Sequence, residues 1–192
     1  LYGKLILRKK TKQLSQLYIH DSLTGLYNRM AYEKLALPLF QKCMGESRSA
    51  GIMFIDADHL KYINDTFGHD MGNLTISSIA SVIRQHCPDN SVSMRYGGDE
   101  FLLIIPNVSS SIFAEKLRTI QEHIHEADFP EFPGLKISAS IGGAMLYNGS
   151  IEEVVSRADK LMYYAKSYKN TVAMDEEVEY EKTLLDAPTA KP

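Results

Sequence analysis

Two apolar runs, residues 92–96 and 101–105, flank the pair Gly97-Gly98 and the acids Asp99 and Glu100. Few features constrain a chain more tightly. Strand-forming runs on either side of a glycine pair favour a tight antiparallel hairpin, because glycine enters positive-φ turns that side chains resist. The chain must therefore build a sheet with at least one antiparallel pair, and two carboxylates must lie at the tip of that hairpin.

The remaining punctuation extends the sheet and covers it. Asp21-Ser22-Leu23-Thr24-Gly25 is turn chemistry. A helix is expected over 28–44, stopped by Gly45, and a buried strand over 51–55 ends at Asp56. Residues 58–65 read as a short helix or loop. Asp70 is placed to cap a helix whose apolar positions Leu74, Ile76, Ile79, Ala80 and Ile83 fall largely on one face, closed by Pro88. A helix over 112–124 and a strand over 135–141 follow, with a break at Gly142-Gly143 and a continuation over 144–147. Ile151, Val154, Val155, Ala158, Leu161, Met162 and Ala165 form the cleanest helical stripe, and a short strand over 171–174 closes the order. Strands and helices so interleaved predict an α+β fold, with helices packed on a central mixed or antiparallel sheet.

Composition narrows the class. At 192 residues, 44% hydrophobic and 23% charged, the chain suits one domain with a real core and an appendage at each end. A net charge of −3 gives no general affinity for nucleic-acid backbones. Cys43 and Cys87 lack metal-ligand spacing and read as reduced thiols of a cytoplasmic domain. No stretch reaches the roughly 18 apolar residues of a membrane span. Residues 1–20 are expected to form a helical linker. Their basic start, with Lys4, Arg8, Lys9, Lys10 and Lys12, fits either the cytoplasmic edge of an inner-membrane helix or a solvated helical face. Residues 175–192 read as an acidic, disordered tail.

Two acidic sites stand out. Asp56 ends an apolar strand in Phe54-Ile55-Asp56-Ala57-Asp58, and Asp99 and Glu100 occupy the hairpin tip. Each has an ordinary reading as turn or strand-end chemistry. If the strands are neighbours, the carboxylates converge at one sheet edge, and hard oxygen ligands in that arrangement suit Mg²⁺ together with substrate phosphates.

Arg95-Tyr96-Gly97-Gly98-Asp99-Glu100-Phe101 resembles the signature of the GGDEF family, the diguanylate cyclases. Four further blocks fall in order around it. These are 21–29, then 56–72 with Asp56-Ala57-Asp58-His59-Leu60-Lys61 and Ile63-Asn64-Asp65, then Ser140-Ile141-Gly142, and finally 158–166. The resemblance covers about residues 20–174 and implies a palm-like nucleotidyl cyclase fold over 21–174. It also implies an enzyme of bacterial second-messenger signalling that condenses two GTP into cyclic di-GMP. Asp56, the Ala57 carbonyl and Asp99 would hold Mg²⁺ (or Mn²⁺). Asp99 with Glu100 and Lys61 would form the catalytic set, with Asp99 helping to activate the attacking hydroxyl. Asn64 and the residue at 73 would meet the base; Lys61, Lys166, Lys169 and the backbone at His59 and Leu60 would meet the phosphates. Each domain would hold one GTP, so catalysis would need a homodimer, assembled by an upstream sensor or membrane segment.

This chain departs from the family at three places. Asn73 stands where an aspartate usually reads guanine, and its amide offers one acceptor and one donor where guanine presents two donors. Pro88 and Ser91 replace the Arg and Asp of the usual inhibitory product site, so tight product inhibition there is not expected. The closing Gly-Arg-Asn is reduced to Tyr168-Lys169-Asn170. Besides an active diguanylate cyclase, two readings stay open: a cyclase of altered purine specificity making a mixed cyclic dinucleotide, and a non-catalytic sensor or docking module.

Overall fold

Every residue of β2 (Ala50–Ala57) is buried, because this strand runs through the middle of the sheet with layers on both faces. That is why it reads as an almost unbroken apolar run instead of an alternation. The computed structural model describes residues 18–147 and 149–175. The expected linker over 1–20 and acidic tail over 175–192 lie outside the described residues, apart from 18–20 and Asp175.

β2 pairs antiparallel with β4 (Glu100–Pro106) on one side and with β5 (Ala139–Met145) on the other. β3 (Val92–Arg95) pairs antiparallel with β4, forming the expected hairpin. The edges are parallel additions: β1 (Tyr27–Asn28) beside β3, and β6 (Val172–Met174) beside β5. The order is β1-β3-β4-β2-β5-β6, a mixed sheet with an antiparallel centre.

Side-chain alternation divides the core in two. Met53, Ile55, Phe101, Leu103 and Ile141 face helices α3 (His69–His86) and α4 (Ser110–Glu126), which supply Ile76, Ile79, Ile83, Phe113, Leu117 and Ile120. Ile52, Phe54, Leu102 and Ile104 face α1 (Leu37–Gly45) and α5 (Ile151–Tyr168), which supply Phe40, Val154, Ala158 and Met162. A short α2 (Leu60–Phe67) follows β2 and lies beside α3. Ser109 caps α4, and Ser150 with Glu153 forms a capping box on α5, so both start at sequence-readable signals.

Four local expectations are corrected. The helix expected from 28 begins later, because Asn28 pairs with Arg95 in β1 and donates its side-chain amide to the Tyr18 carbonyl. A π-helical turn, Tyr32–Ala36, then leads into α1, whose second residue Pro38 has no N–H for the ordinary ladder. Asp70 is not a cap: α3 starts at His69 after Gly68, whose φ of 86° turns the chain, and Asp70 lies in the first turn. The strand expected over 135–141 starts only at Ala139, since 135–138 pass outside the ladder. Gly142-Gly143 is no break either, as β5 runs straight through it. A Cβ on Gly142 would lie 2.1 Å from the Ala158 carbonyl oxygen and the Met162 nitrogen, so these glycines let helices approach the sheet.

Candidate active site

The register of the central strands assembles the carboxylates. Asp56, at the end of β2, lies opposite Glu100 of β4 and Ser140 of β5. One residue on, the Ala57 N–H donates to the Asp99 carbonyl at 3.0 Å, which ties the hairpin tip to the end of β2. The acids of the two motifs therefore share one edge, as the sequence implies.

Asp56 is only 3% exposed. Its Oδ2 accepts from Lys166 Nζ of α5 at 2.8 Å, while its Oδ1 is buried with no hydrogen-bond partner. Burial pushes this carboxyl up; Lys166 opposes that, and Asp99 and Asp58 reinforce it. Glu100 is likewise raised by burial, then by Asp56, Asp99 and Asp159. Burial alone would lower the Lys166 ammonium, but its bond to Asp56 and the charges of Asp99 and Asp58 offset this and hold its pKa above the usual value. One lysine thus faces a group of carboxylates, one of which has a bare buried oxygen. A buried unpaired carboxylate oxygen is costly, and a cation would satisfy it. Asp56 Oδ1, with Asp99 half-exposed beside it, fits a hard divalent ion held by few protein oxygens.

The hairpin tip is held by residues to which the sequence assigns no role. Arg95 donates to the Gly98 carbonyl from Nε at 3.1 Å and Nη2 at 2.7 Å, and its Nη1 meets Asp21 Oδ2 at 3.3 Å. Asp21 in turn accepts from the Thr24 N–H and hydroxyl at 2.8 and 2.7 Å. The opening turn and the signature hairpin are therefore one unit. The Glu100 side chain folds over Gly97, where a Cβ would come within 2.4 Å of its Oε2 unless that carboxylate moved aside.

Of the proposed substrate residues, Leu60, Lys61 and Asn64 lie on α2 and Asn73 on α3, whereas Lys166 lies on α5 and Lys169 just after it. His59, with φ of 57°, precedes α2 and its side chain does not cap the helix, whose first turn carries exposed Lys61 and half-buried Leu60. Asn64 packs against Gly72 of α3 so closely that a Cβ on Gly72 would lie 1.9 Å from Asn64 Oδ1. Asn73, next along α3, is exposed. The two asparagines proposed for the base are thus carried on abutting helices.

Asp58 is the residue that sequence reasoning missed. It is 1% exposed and accepts from Ser138 Oγ at 3.0 Å, Ser140 Oγ at 2.8 Å and the Asn170 N–H at 2.9 Å. Lys169 Nζ lies 3.5 Å from its Oδ1. Asp58 falls two residues after Asp56, so spacing alone made it a second acid of the same motif; only the return of the chain at 138–140 and 169–170 shows its partners. At the replaced product-site positions, Ser91 donates from N–H and hydroxyl to the Pro88 carbonyl at 2.9 and 2.6 Å, a self-closed turn.

The family model "Diguanylate cyclase, GGDEF domain" matches residues 18–171, and the chain belongs to that family. It is 34% identical over 166 residues to diguanylate cyclase VdcA of Vibrio cholerae, covering 84% of this chain and 48% of that protein. It is 33% identical over 166 residues to diguanylate cyclase DgcN of Escherichia coli, covering 85% and 40%. The chain therefore spans about half or less of the length of these curated relatives. Among solved structures, the coiled coil and GGDEF domain of DgcB from Caulobacter crescentus, in complex with c-di-GMP, superposes with a TM-score of 0.84 at 27% identity, covering 91% of this chain and 94% of that one. The GGDEF domain of FimX from Pseudomonas aeruginosa, at 17% identity and a TM-score of 0.74, shares the fold. No helix among the described residues is long and apolar enough to cross a membrane.

Proposed function

We propose that this domain is a diguanylate cyclase that joins two GTP molecules into cyclic di-GMP. The observation that carries the reading is the bare, buried Oδ1 of Asp56, held within reach of the Asp99 hairpin and balanced by a single lysine. Buried carboxylate oxygens are seldom left unpaired, and a divalent cation would satisfy this one.

Mg²⁺ (or Mn²⁺), held by Asp56, the Ala57 carbonyl and Asp99, would supply Lewis-acid stabilisation of the phosphates and of a deprotonated hydroxyl. Asp56 orients and Asp99 accepts: the 3′-hydroxyl of one GTP loses its proton toward the Asp99 carboxylate. Its oxygen forms a bond to the α-phosphorus of the other GTP, and the α–β anhydride bond breaks to release pyrophosphate. The exchange occurs once in each direction, giving the cyclic product and two pyrophosphates. Glu100, half-buried beside Asp99, completes the acidic set, while its backbone carbonyl accepts from the Tyr96 and Gly97 N–H groups. Asn64 meets the base, Lys61 and the N–H groups after His59 meet the phosphates, and Lys166 balances Asp56. Because one domain offers one such edge, two copies must face each other.

Asn73 supports a second reading, in which the amide's acceptor and donor favour an adenine-containing product. One experiment tests both. The domain is incubated with GTP, ATP and their mixture across a range of protein concentrations, and products are identified by mass. Cyclic di-GMP from GTP, with specific activity rising as concentration rises, is expected. A mixed dinucleotide as main product would favour the second reading. Absence of any cyclic product at high concentration would overturn the cyclase assignment.

A further inference from the structure

The chain leaves α5 through two consecutive non-glycine residues in left-handed backbone, Lys169 at φ 58° and Asn170 at φ 46°. Lys169 also has ψ of 152°, a combination that is essentially restricted to glycine. Such a conformation persists only when its surroundings impose it. Here they do so from three sides. Asp58 Oδ2 accepts the Asn170 N–H at 2.9 Å, Gln121 of α4 donates to the Asn170 carbonyl at 3.0 Å and to its Oδ1 at 2.6 Å, and the Thr171 hydroxyl donates to the Lys169 carbonyl at 2.7 Å.

A turn needed only for connection would be better served by glycine at 169. A lysine in its place puts an ammonium 3.5 Å from Asp58 Oδ1, directly beside the His59 turn that opens α2. The two lysines near this edge are held differently. Lys166 makes a 2.8 Å bond to Asp56, whereas Lys169 makes a longer contact to a carboxylate already saturated by Ser138, Ser140 and Asn170. The two side chains are equally accessible, 36% exposed for Lys169 and 37% for Lys166, so the difference lies in the partner each one holds. An incoming phosphate oxygen therefore recruits Lys169 with less loss than Lys166, and Asp58 loses no hydrogen bond when it does.

We propose that Asp58 is a positioning residue for nucleotide triphosphate: it forces the 169–170 turn into its left-handed form and holds the Lys169 ammonium at the mouth of the site until a phosphate takes it over. The inference rests on the cyclase reading for the identity of the triphosphate. Asp58 touches neither substrate nor the reacting atoms and acts through Lys169. Backbone strain at 169 is retained because that geometry places the charge.

The test uses thermal unfolding, calorimetric binding of a non-hydrolysable GTP analogue with Mg²⁺, and steady-state kinetics on Asp58→Asn, Lys169→Gly, Lys169→Arg and the Asp58→Asn/Lys169→Gly double variant. Lys169→Gly is expected to raise Tm by about 2–4 °C as strain is relieved. The same variant should weaken analogue binding about tenfold, the scale of one lost charge-assisted contact. Lys169→Arg should restore binding to near the parent. Asp58→Asn keeps the shape and most hydrogen bonds but removes the charge; it should raise KM about tenfold while kcat stays within a few-fold. The double variant should bind no more weakly than Lys169→Gly, because both changes act on one contact. Additive losses, unchanged binding in Lys169→Gly, or a fall in its Tm would each overturn the proposal. Should Asp58→Asn fail to fold, the glycine and arginine variants still decide it. Parent protein that binds the analogue but forms no product would sink the cyclase reading alone; parent that turns over GTP, with Lys169→Gly binding as parent does, would sink this inference alone.

Discussion

Asp99→Ala is expected to cut cyclic di-GMP formation by about a thousandfold or more while the fold survives, on the scale of losing a preorganised catalytic group. Asp99 is half-exposed on a hairpin tip, and the contact it gives to the rest of the sheet comes from its backbone carbonyl, which accepts the Ala57 N–H at 3.0 Å. Alanine keeps that carbonyl and removes only the carboxylate. Arg95 still clamps Gly98, so the turn does not depend on the missing side chain. Far-UV circular dichroism and Tm should therefore match the parent within experimental error. Activity retained at a tenth of the parent rate would show that Asp99 neither holds the metal nor takes the proton.

The next largest effect is expected from Asn73→Asp. Guanine offers N1–H and N2–H₂ as donors, and a carboxylate accepts both where the amide accepts one. The ratio of kcat/KM for GTP over that for ATP should rise roughly ten- to a hundredfold if one buried hydrogen bond is regained. The helix will tolerate the change, because Asn73 is exposed on α3 and aspartate is nearly isosteric with it. Neighbouring Gly72 keeps Asn64 seated against α3, so the second base contact is undisturbed. A ratio that stays constant would remove position 73 from base recognition and, with it, the only support for a mixed product.

Local chemistry along the chain makes much of this site legible. The apolar stripe from Ile151 to Ala165 announces α5, the Gly97-Gly98 pair announces the hairpin, and the apolar run before Asp56 announces a buried strand. The misreadings came where a local signal served a distant partner. Gly142-Gly143 reads as a break, yet its lack of Cβ atoms admits Ala158, Met162 and Leu117 from two helices. Asn28 reads as helical, yet it is an edge-strand residue bonded back to Tyr18.

By itself, then, the sequence determined the α+β class, the hairpin, the acids at two chain positions and the family to which they belong, because period, turn chemistry and motif spacing are properties of neighbours along the chain. Tertiary structure alone decided that β2 lies between β4 and β5, which sets Asp56 opposite Glu100 and leaves its Oδ1 bare. It alone brought Lys166 to Asp56 across 110 positions and the Asn170 N–H to Asp58 across 112. Partners so far apart in sequence are chosen by strand register and helix packing, which are cooperative outcomes of the whole core and leave no trace in any local window.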